Sequence, residues 1–230
     1  MLNQTMTQCN SLGHPPAHIG NPVPEMSARS LGASIELIGA PMPFGRNTEI
    51  YGENEPAEYL YKVVSGSVRT YKVLNDGRRQ IAAFYLPGEI FGLEVDNLHT
   101  FSAEAIVNSK LLVFKRSTLV GLAARDNETA RRLWTITADE LQRVQAHITL
   151  LIKSAQERVV SFLLEMAARV PVGNEIDLPM SRLDIADYLG LTIETVSRTL
   201  TQLENTAAIA VPSSRRIVLR NRAALNQMNA

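Results

Sequence analysis

Glu194, Ser197 and Arg198 lie at i, i+3 and i+4 of one helical stretch, so they share a face. An arginine can donate two hydrogen bonds to guanine O6 and N7, and a carboxylate can accept one from cytosine N4. One turn apart on one helix, Glu194 and Arg198 suit the two halves of a single G·C pair. Ser197 is short enough to let a neighbouring base approach. The plain alternative is an exposed i,i+4 Glu–Arg salt bridge, worth a few tenths of a kcal/mol. The surrounding frame separates the two.

Met180 to Glu204 reads as two short helices around a tight turn. Ser181 is placed to cap the first helix, and Asp184 suits its first turn. Ile185, Ala186 and Leu189 give that helix an apolar face, and Ala186 is small enough for a second helix to cross closely. Gly190 can take the positive φ that the turn requires. Thr192 caps the second helix, whose first turn holds Glu194 and Thr195. Val196, Leu200 and Leu203 recur at helical spacing and face inward. This is the layout of a helix-turn-helix that offers its second helix to the major groove of DNA. In that frame DNA contact is the favoured role of the exposed face.

A chain of 230 residues suits two modest domains, each with its own core. Net charge is zero, so there is no global electrostatic signature of nucleic-acid binding. Charge separates locally: Arg198, Arg215, Arg216, Arg220 and Arg222 stand against Glu204 alone from Arg198 to the end. Such a patch can meet phosphates and makes binding salt-sensitive. No apolar run approaches a membrane span. The first residues lack a basic region followed by an apolar core, so no secretory signal is expected and the expected compartment is the cytoplasm. Cys9, the single cysteine, excludes an internal disulfide and a cysteine-rich metal site.

Residues 1–30 are rich in Pro, Asn, Ser, Gly and His and read as a flexible tail. Residues 31–125 hold short β-rich runs between turn signals. Tyr59 to Leu74 gives two strands around Ser65-Gly66-Ser67. Asp76-Gly77 is a hairpin turn, and Gln80 to Leu86 leads into the Pro87-Gly88 break. Thr100 to Ile106 and Lys110 to Phe114 supply further strands. Many short strands at even spacing predict a jelly roll or a similar barrel. Residues 126–153 contain no Gly or Pro and carry an amphipathic helical pattern. Leu133, Leu141, Val144, Ile148 and Leu151 form its apolar stripe, interrupted by Thr137. Such a helix can pack on its own barrel or pair with its copy in a second chain as a short coiled coil. The DNA reading favours a dimer, because one recognition helix rarely gives adequate specificity. Gln156 to Arg169 is another amphipathic helix, stopped at Val170-Pro171-Val172-Gly173. Ile209 to Val211 and Arg216 to Arg220 flank Pro212-Ser-Ser-Arg as a β-hairpin with arginines at its tip. Residues 154–230 therefore read as a winged helix-turn-helix, and the fold class is α+β.

Four blocks carry a family resemblance: Y-K-V-V-S-G-S (Tyr61 to Ser67), D-G-R-R-Q-I (Asp76 to Ile81), L-P-G-E-I-F-G-L (Leu86 to Leu93) and the whole of 181–204. In this order they resemble the CRP/FNR superfamily of bacterial transcription regulators, most of all its FixK-type branch, from about residue 35 onward. The resemblance implies a cyclic-nucleotide-binding-like jelly-roll barrel, a long dimerisation helix and a DNA-binding domain. It implies a homodimer on double-stranded DNA, a palindromic operator of the TTG…CAA kind and contact with RNA polymerase. The implied targets are genes of low-oxygen respiration, denitrification or nitrogen fixation. Arg198 would read the guanine and Glu194 its paired cytosine, with Ser197 beside them. Ser181, Arg182, Thr192, Thr195, Arg215 and Arg216 would hold the phosphate backbone, which fixes register without reading sequence. Arg78 and Arg79, at what reads as an exposed hairpin, suit either a polymerase-contact patch or a solvated turn.

The departures bear on the signal. Relatives that bind cyclic nucleotides carry an Arg-Ser pair downstream of the G-E motif to hold the ligand phosphate, and Leu98 to Ala105 has no arginine. Gly88-Glu89 then reads as a plain turn with a solvated acid. Oxygen-sensing relatives hold an iron–sulfur cluster on four cysteines, which one cysteine cannot do. His14, His18, His99 and His147 are scattered, so haem ligation rests on His99 alone. The expectation is an activator with no cofactor, no metal and no small-molecule effector. One rival is a regulator gated by a small molecule or haem in the barrel. A second, a jelly-roll metalloenzyme, lacks the clustered His and carboxylates it needs. Two departures fall in the DNA domain: Thr199 replaces the apolar residue that usually follows the recognition arginine, and Ala207 replaces the usual glycine after that helix. Ala207 would cost on the order of 1 kcal/mol if its site needs positive φ.

Overall fold

The structure, a computed structural model, describes residues 39–169 and 173–229. The expected tail with Cys9, His14 and His18, and the Pro171 helix stop, lie outside the described residues. Strands β1 (Ala40–Phe44), β2 (Glu49–Tyr51), β3 (Tyr59–Ser65), β4 (Val68–Val73), β5 (Arg79–Tyr85), β6 (Ile90–Phe91), β7 (Ser102–Ala105) and β8 (Ser109–Lys115) build the barrel. They form two antiparallel sheets of order β1-β8-β3-β6 and β2-β7-β4-β5. Alternation explains the layering. Leu60 and Phe114 are cross-strand partners, as are Val63 and Leu111, and all four are buried. Tyr51, Tyr61, Val63, Val68, Tyr85, Phe91, Ala103 and Leu111 fill the space between the sheets. Gly66, at φ +85°, turns β3 into β4; a Cβ there would collide with Ser109 Oγ.

Helix α1 (Arg116–Ala123) leads to the long α2 (Asn127–Leu151), whose cap Asp126 accepts from the Glu128 and Thr129 N–H groups. Leu133 corrects an expectation. Expected in the dimer seam, it packs with Ile136 against Leu60, Leu112, Phe114 and Leu119 of its own chain. The stripe left open to solvent is Trp134, Leu141, Val144, Ile148, Leu151 and Ile152, with Trp134 76% and Ile148 61% exposed.

The remaining elements are α3 (Ala155–Arg169), β9 (Glu175–Asp177), α4 (Arg182–Leu189), α5 (Ile193–Asn205), β10 (Ile209–Ala210), β11 (Arg216–Leu219) and α6 (Arg222–Met228). Their sheet has the order β10-β11-β9, so the wing hairpin gains a third strand that the sequence did not suggest. The barrel and the helical domain share a core. Ile81, Phe84 and Ile106 belong to one buried cluster with Phe162, Leu163, Met166 and Tyr188. Phe84 lies 5.2 Å from Tyr188, centroid to centroid. The junction of α2 and α3 is braced by Arg158. Its guanidinium donates to the carbonyls of Leu151 (2.6 Å), Lys153 (2.9 Å) and Leu189 (2.9 Å), at the C-terminal ends of α2 and α4.

Candidate nucleic-acid interface

Helix α4 opens with a capping box. Ser181 Oγ accepts from the Asp184 N–H at 3.1 Å, and Asp184 Oδ2 accepts from the Ser181 N–H at 2.9 Å. Ser181 Oγ also donates to Asp184 Oδ2 at 2.8 Å, so its proton is committed within the fold. The helix ends at Gly190, φ +63°, as the turn requires. Thr192 caps α5 by accepting from the Thr195 N–H at 3.2 Å, and the two hydroxyls lie 3.0 Å apart. Val196, Leu200 and Leu203 are buried, which rolls Glu194, Ser197 and Arg198 outward, all exposed. Thr199 is buried, and its hydroxyl is satisfied by donating to the Thr195 carbonyl at 2.8 Å.

The exposed face is electrostatically prepared. Hydrogen bonds from the Glu194 backbone and the Thr192 hydroxyl, and the nearby Arg198 charge, hold the Glu194 carboxyl below its ordinary range. The shift favours the ionised acceptor form, the one that could receive a hydrogen bond from a cytosine amine. Although Arg198 is close enough to influence Glu194, the two do not close into an ion pair among the described residues.

The flanking residues divide. Ser181 and Thr192 are exposed at the starts of their helices, and Thr195 is half-buried behind Thr192. Arg182 is half-buried; burial lowers its pKa and the Glu204 charge opposes that. Arg215, also half-buried, lines a cleft with Ser181, Arg46, Arg69 and Arg79, and its carbonyl accepts from the Leu178 N–H at 2.7 Å. Arg216 is not at the wing tip: it lies in β11 and pairs with Glu175 of β9. Arg79 departs furthest from expectation. It is half-buried and bonds to Asp184 and Asp187 of α4, whereas Arg78 is exposed and pairs locally with Asp76 at 2.7 Å. Arg46, contributed by the turn between β1 and β2, was missed because nothing in its local sequence links it to the wing.

The barrel mouth tests for a cyclic nucleotide. A cavity of about 520 Å³ lies between the barrel and α2, lined by Tyr51, Tyr85, Phe91, Ile148, Glu94 and Glu140 among others, with no lysine or arginine. A phosphate there would meet two carboxylates and no cation, so the lining does not fit that ligand. Tyr85 donates to Glu140 Oε1 at 2.9 Å, tying the barrel to α2. Glu89 accepts from Arg169 of α3 at 2.6 Å, so it is not a solvated acid. His99 stacks on Tyr51 with centroids 3.5 Å apart. Among the described residues no group of three or more His, Cys, Asp or Glu could hold a metal ion, and no helix is long and apolar enough to cross a membrane.

The profile of the Crp-like helix-turn-helix domain matches residues 157–228, and that of the cyclic nucleotide-binding domain matches residues 41–126. The nitrogen fixation regulation protein FixK of Azorhizobium caulinodans is 52% identical over 202 residues, covering 85% of this chain and 82% of that protein. The FixK protein of Rhizobium meliloti is 40% identical over 181 residues, covering 78% of this chain and 82% of that protein. The solved structure of FixK2 from Bradyrhizobium japonicum superposes with a TM-score of 0.81 at 50% identity, covering 84% of this chain and 98% of that one.

Proposed function

Because this chain belongs to the CRP/FNR family of DNA-binding transcription regulators, with FixK proteins among its relatives, we propose that it is an activator that binds a palindromic operator as a homodimer and needs no small-molecule effector. One observation carries the proposal: α5 presents an ionised Glu194 and an uncommitted Arg198 on one open face, with Ser197 between them. Arg198 reads the guanine of a TTG…CAA-type site and Glu194 its cytosine. Arg182, Thr192, Thr195 and Arg215 border that face and hold phosphates; Ser181, whose N–H and O–H both go to Asp184, serves by capping α4 rather than by donating to DNA. Arg216 contributes less, since Glu175 already takes its charge. The exposed stripe of α2 joins two copies; Trp134, Leu141 and Ile148 fall seven residues apart, the coiled-coil repeat. The cavity lined by Tyr51, Tyr85 and Phe91 has no cation, which supports action without a cyclic nucleotide at that site. Exposed Arg78 beside exposed Val73 and Leu74 supports a polymerase contact at the β4–β5 turn. The names of the relatives support control of nitrogen-fixation genes.

The test is Arg198→Ala titrated against matched and guanine-substituted operators. The expected loss is about 1–3 kcal/mol per half-site, with relaxed preference at the guanine. Equal loss on both DNAs would make Arg198 a phosphate clamp. The mostly apolar cavity favours a second reading, gating by an uncharged ligand. Thermal stabilisation by such a compound, with activation in a purified transcription assay, would replace the effector-free reading.

A further inference from the structure

Two arginines of the barrel grip the first helix of the helix-turn-helix. Arg69 of β4 bonds Asp184 Oδ1 at 3.0 Å and Glu104 of β7 at 2.9 Å. Arg79 of β5 reaches Asp184 Oδ1 at 2.7 Å and Asp187 Oδ2 at 2.7 Å through Nη2, and Asp187 Oδ2 again at 2.8 Å through Nε. Asp184 and Asp187 sit at i, i+3 and so share one face of α4. The Asp184 carboxylate is divided: Oδ2 closes the capping box and Oδ1 takes both arginines. Beside this cluster Gln80 Nε2 donates to the Tyr188 carbonyl at 3.3 Å. The cluster is largely out of solvent, with the Arg69 and Asp184 side chains 8% and 5% exposed.

Buried ion pairs of this kind add little stability over an apolar contact of the same shape, but separating the partners leaves buried charge uncompensated, so arrangements that pull them apart are penalised. Here the pairs join α4 of the helix-turn-helix to β4 and β5 of the barrel. In that arrangement Glu194, Ser197 and Arg198 are all open to solvent.

We propose that Arg69 and Arg79 are positioning residues for DNA binding: with Asp184 and Asp187 they latch α4 to the barrel in the orientation that presents α5 to the operator. The inference rests on the DNA reading of α5. The latch takes over the task that a bound ligand performs in a gated regulator, by holding the binding-competent arrangement as the resting one.

Arg79 is the residue to change, since Asp184 keeps Arg69 when Arg79 is lost and Asp187 is near enough to solvent to be rehydrated. The full-length protein is titrated with a TTG…CAA duplex over a range of salt concentrations, with melts and small-angle scattering of the free protein. Arg79→Gln should bind about tenfold more weakly, because apparent affinity falls in proportion to the latched fraction. Its slope of log K against log salt should not change, as no phosphate contact is lost. Its melting temperature should stay near the parent's, and its radius of gyration should rise. Arg79→Lys should stay within about twofold of the parent, keeping an ion pair. Arg79→Gln with Asp187→Asn should be no weaker than Arg79→Gln alone, the mark of one unit. Parent-like affinity and radius in Arg79→Gln would overturn the latch. A salt slope reduced by about one ion would also overturn it, making Arg79 a phosphate contact. A parent that ignores operator DNA would instead defeat the DNA reading, and the radius of Arg79→Gln would still decide the latch.

Discussion

Ala207 is an alanine in a conformation that favours glycine. Helix α5 closes with a Schellman arrangement: the Ala207 N–H bonds the Glu204 carbonyl at 2.9 Å and the Ala208 N–H bonds the Leu203 carbonyl at 3.0 Å. This puts Ala207 at φ +56°, in the left-handed region. A Cβ there costs roughly 1–2 kcal/mol. Glycine escapes that strain but loses about 0.5–1 kcal/mol more than alanine in chain entropy on folding. Ala207 is exposed, so its methyl group contributes little burial to offset the strain. The net expectation for Ala207→Gly is a gain of about 0.5–1 kcal/mol, which is a rise of roughly 1–4 °C in melting temperature for a chain of this size. Thr206→Gly is the control, since Thr206 sits at φ −83° and gains nothing from glycine. Circular-dichroism melts and urea titrations measure both, and operator affinity should not move because the reading face is untouched. Ala207→Gly melting at or below the parent would refute the reasoning.

The other predictions concern the seam, the cap and pH. Leu141→Glu or Ile148→Glu puts a charge on the open stripe of α2 and should shift the protein towards monomer in analytical ultracentrifugation while weakening operator binding; an unchanged dimer would move the interface elsewhere. Ser181→Asp should lower both the melting temperature and the affinity, because the new carboxylate faces Asp184 Oδ2 as well as DNA; repulsion at contact is on the order of 1–4 kcal/mol. Ser181→Ala should lose about 1 kcal/mol of stability with the cap, and an Asp variant that melts with the parent would refute the arrangement. His147 lies against Tyr188 at 4.3 Å, and burial pushes its pKa below the ordinary 6.5; His99 is shifted the same way, burial outweighing Glu94. Both take up a proton less readily in the fold than in the unfolded chain, so the unfolded chain binds more protons below about 6.5 and stability falls as pH drops through that value. Urea melts from pH 7.5 to 5.5 should show the decline, and His147→Gln should flatten it; a flat parent curve would dismiss the effect.

What was legible in the sequence was local. Ser181 with Asp184, Gly190, and Thr192 with Thr195 each act within four residues of themselves, and the structure has them as caps and a turn. The strain at Ala207 was legible for the same reason. What escaped was tertiary. Arg79 follows Asp-Gly-Arg and reads as hairpin, while its carboxylates lie over a hundred residues on, at |i−j| of 105 and 108. Leu133 and Trp134 are adjacent, and a single step around a helix decides which meets the barrel. The apolar spacing of α2 serves two stripes at once, and periodicity alone cannot say which one is covered by the chain itself. β9 is only three residues long, too short for a pattern, and exists because β11 pairs with it.

Arg158 gives the molecule a fixed gauge. Its guanidinium spans carbonyls at the ends of α2 and α4, so the joint between the long helix and the helix-turn-helix is braced at three points. One extra base pair between half-sites displaces the second by about 3.4 Å and rotates it by about 34°. A loose joint would swing to follow. A braced one hands the whole mismatch to the DNA, which must untwist or forfeit a contact. If the protein binds two half-sites as a dimer, the length of the spacer then becomes part of what it recognises, set by a side chain on the far side of the turn from the bases.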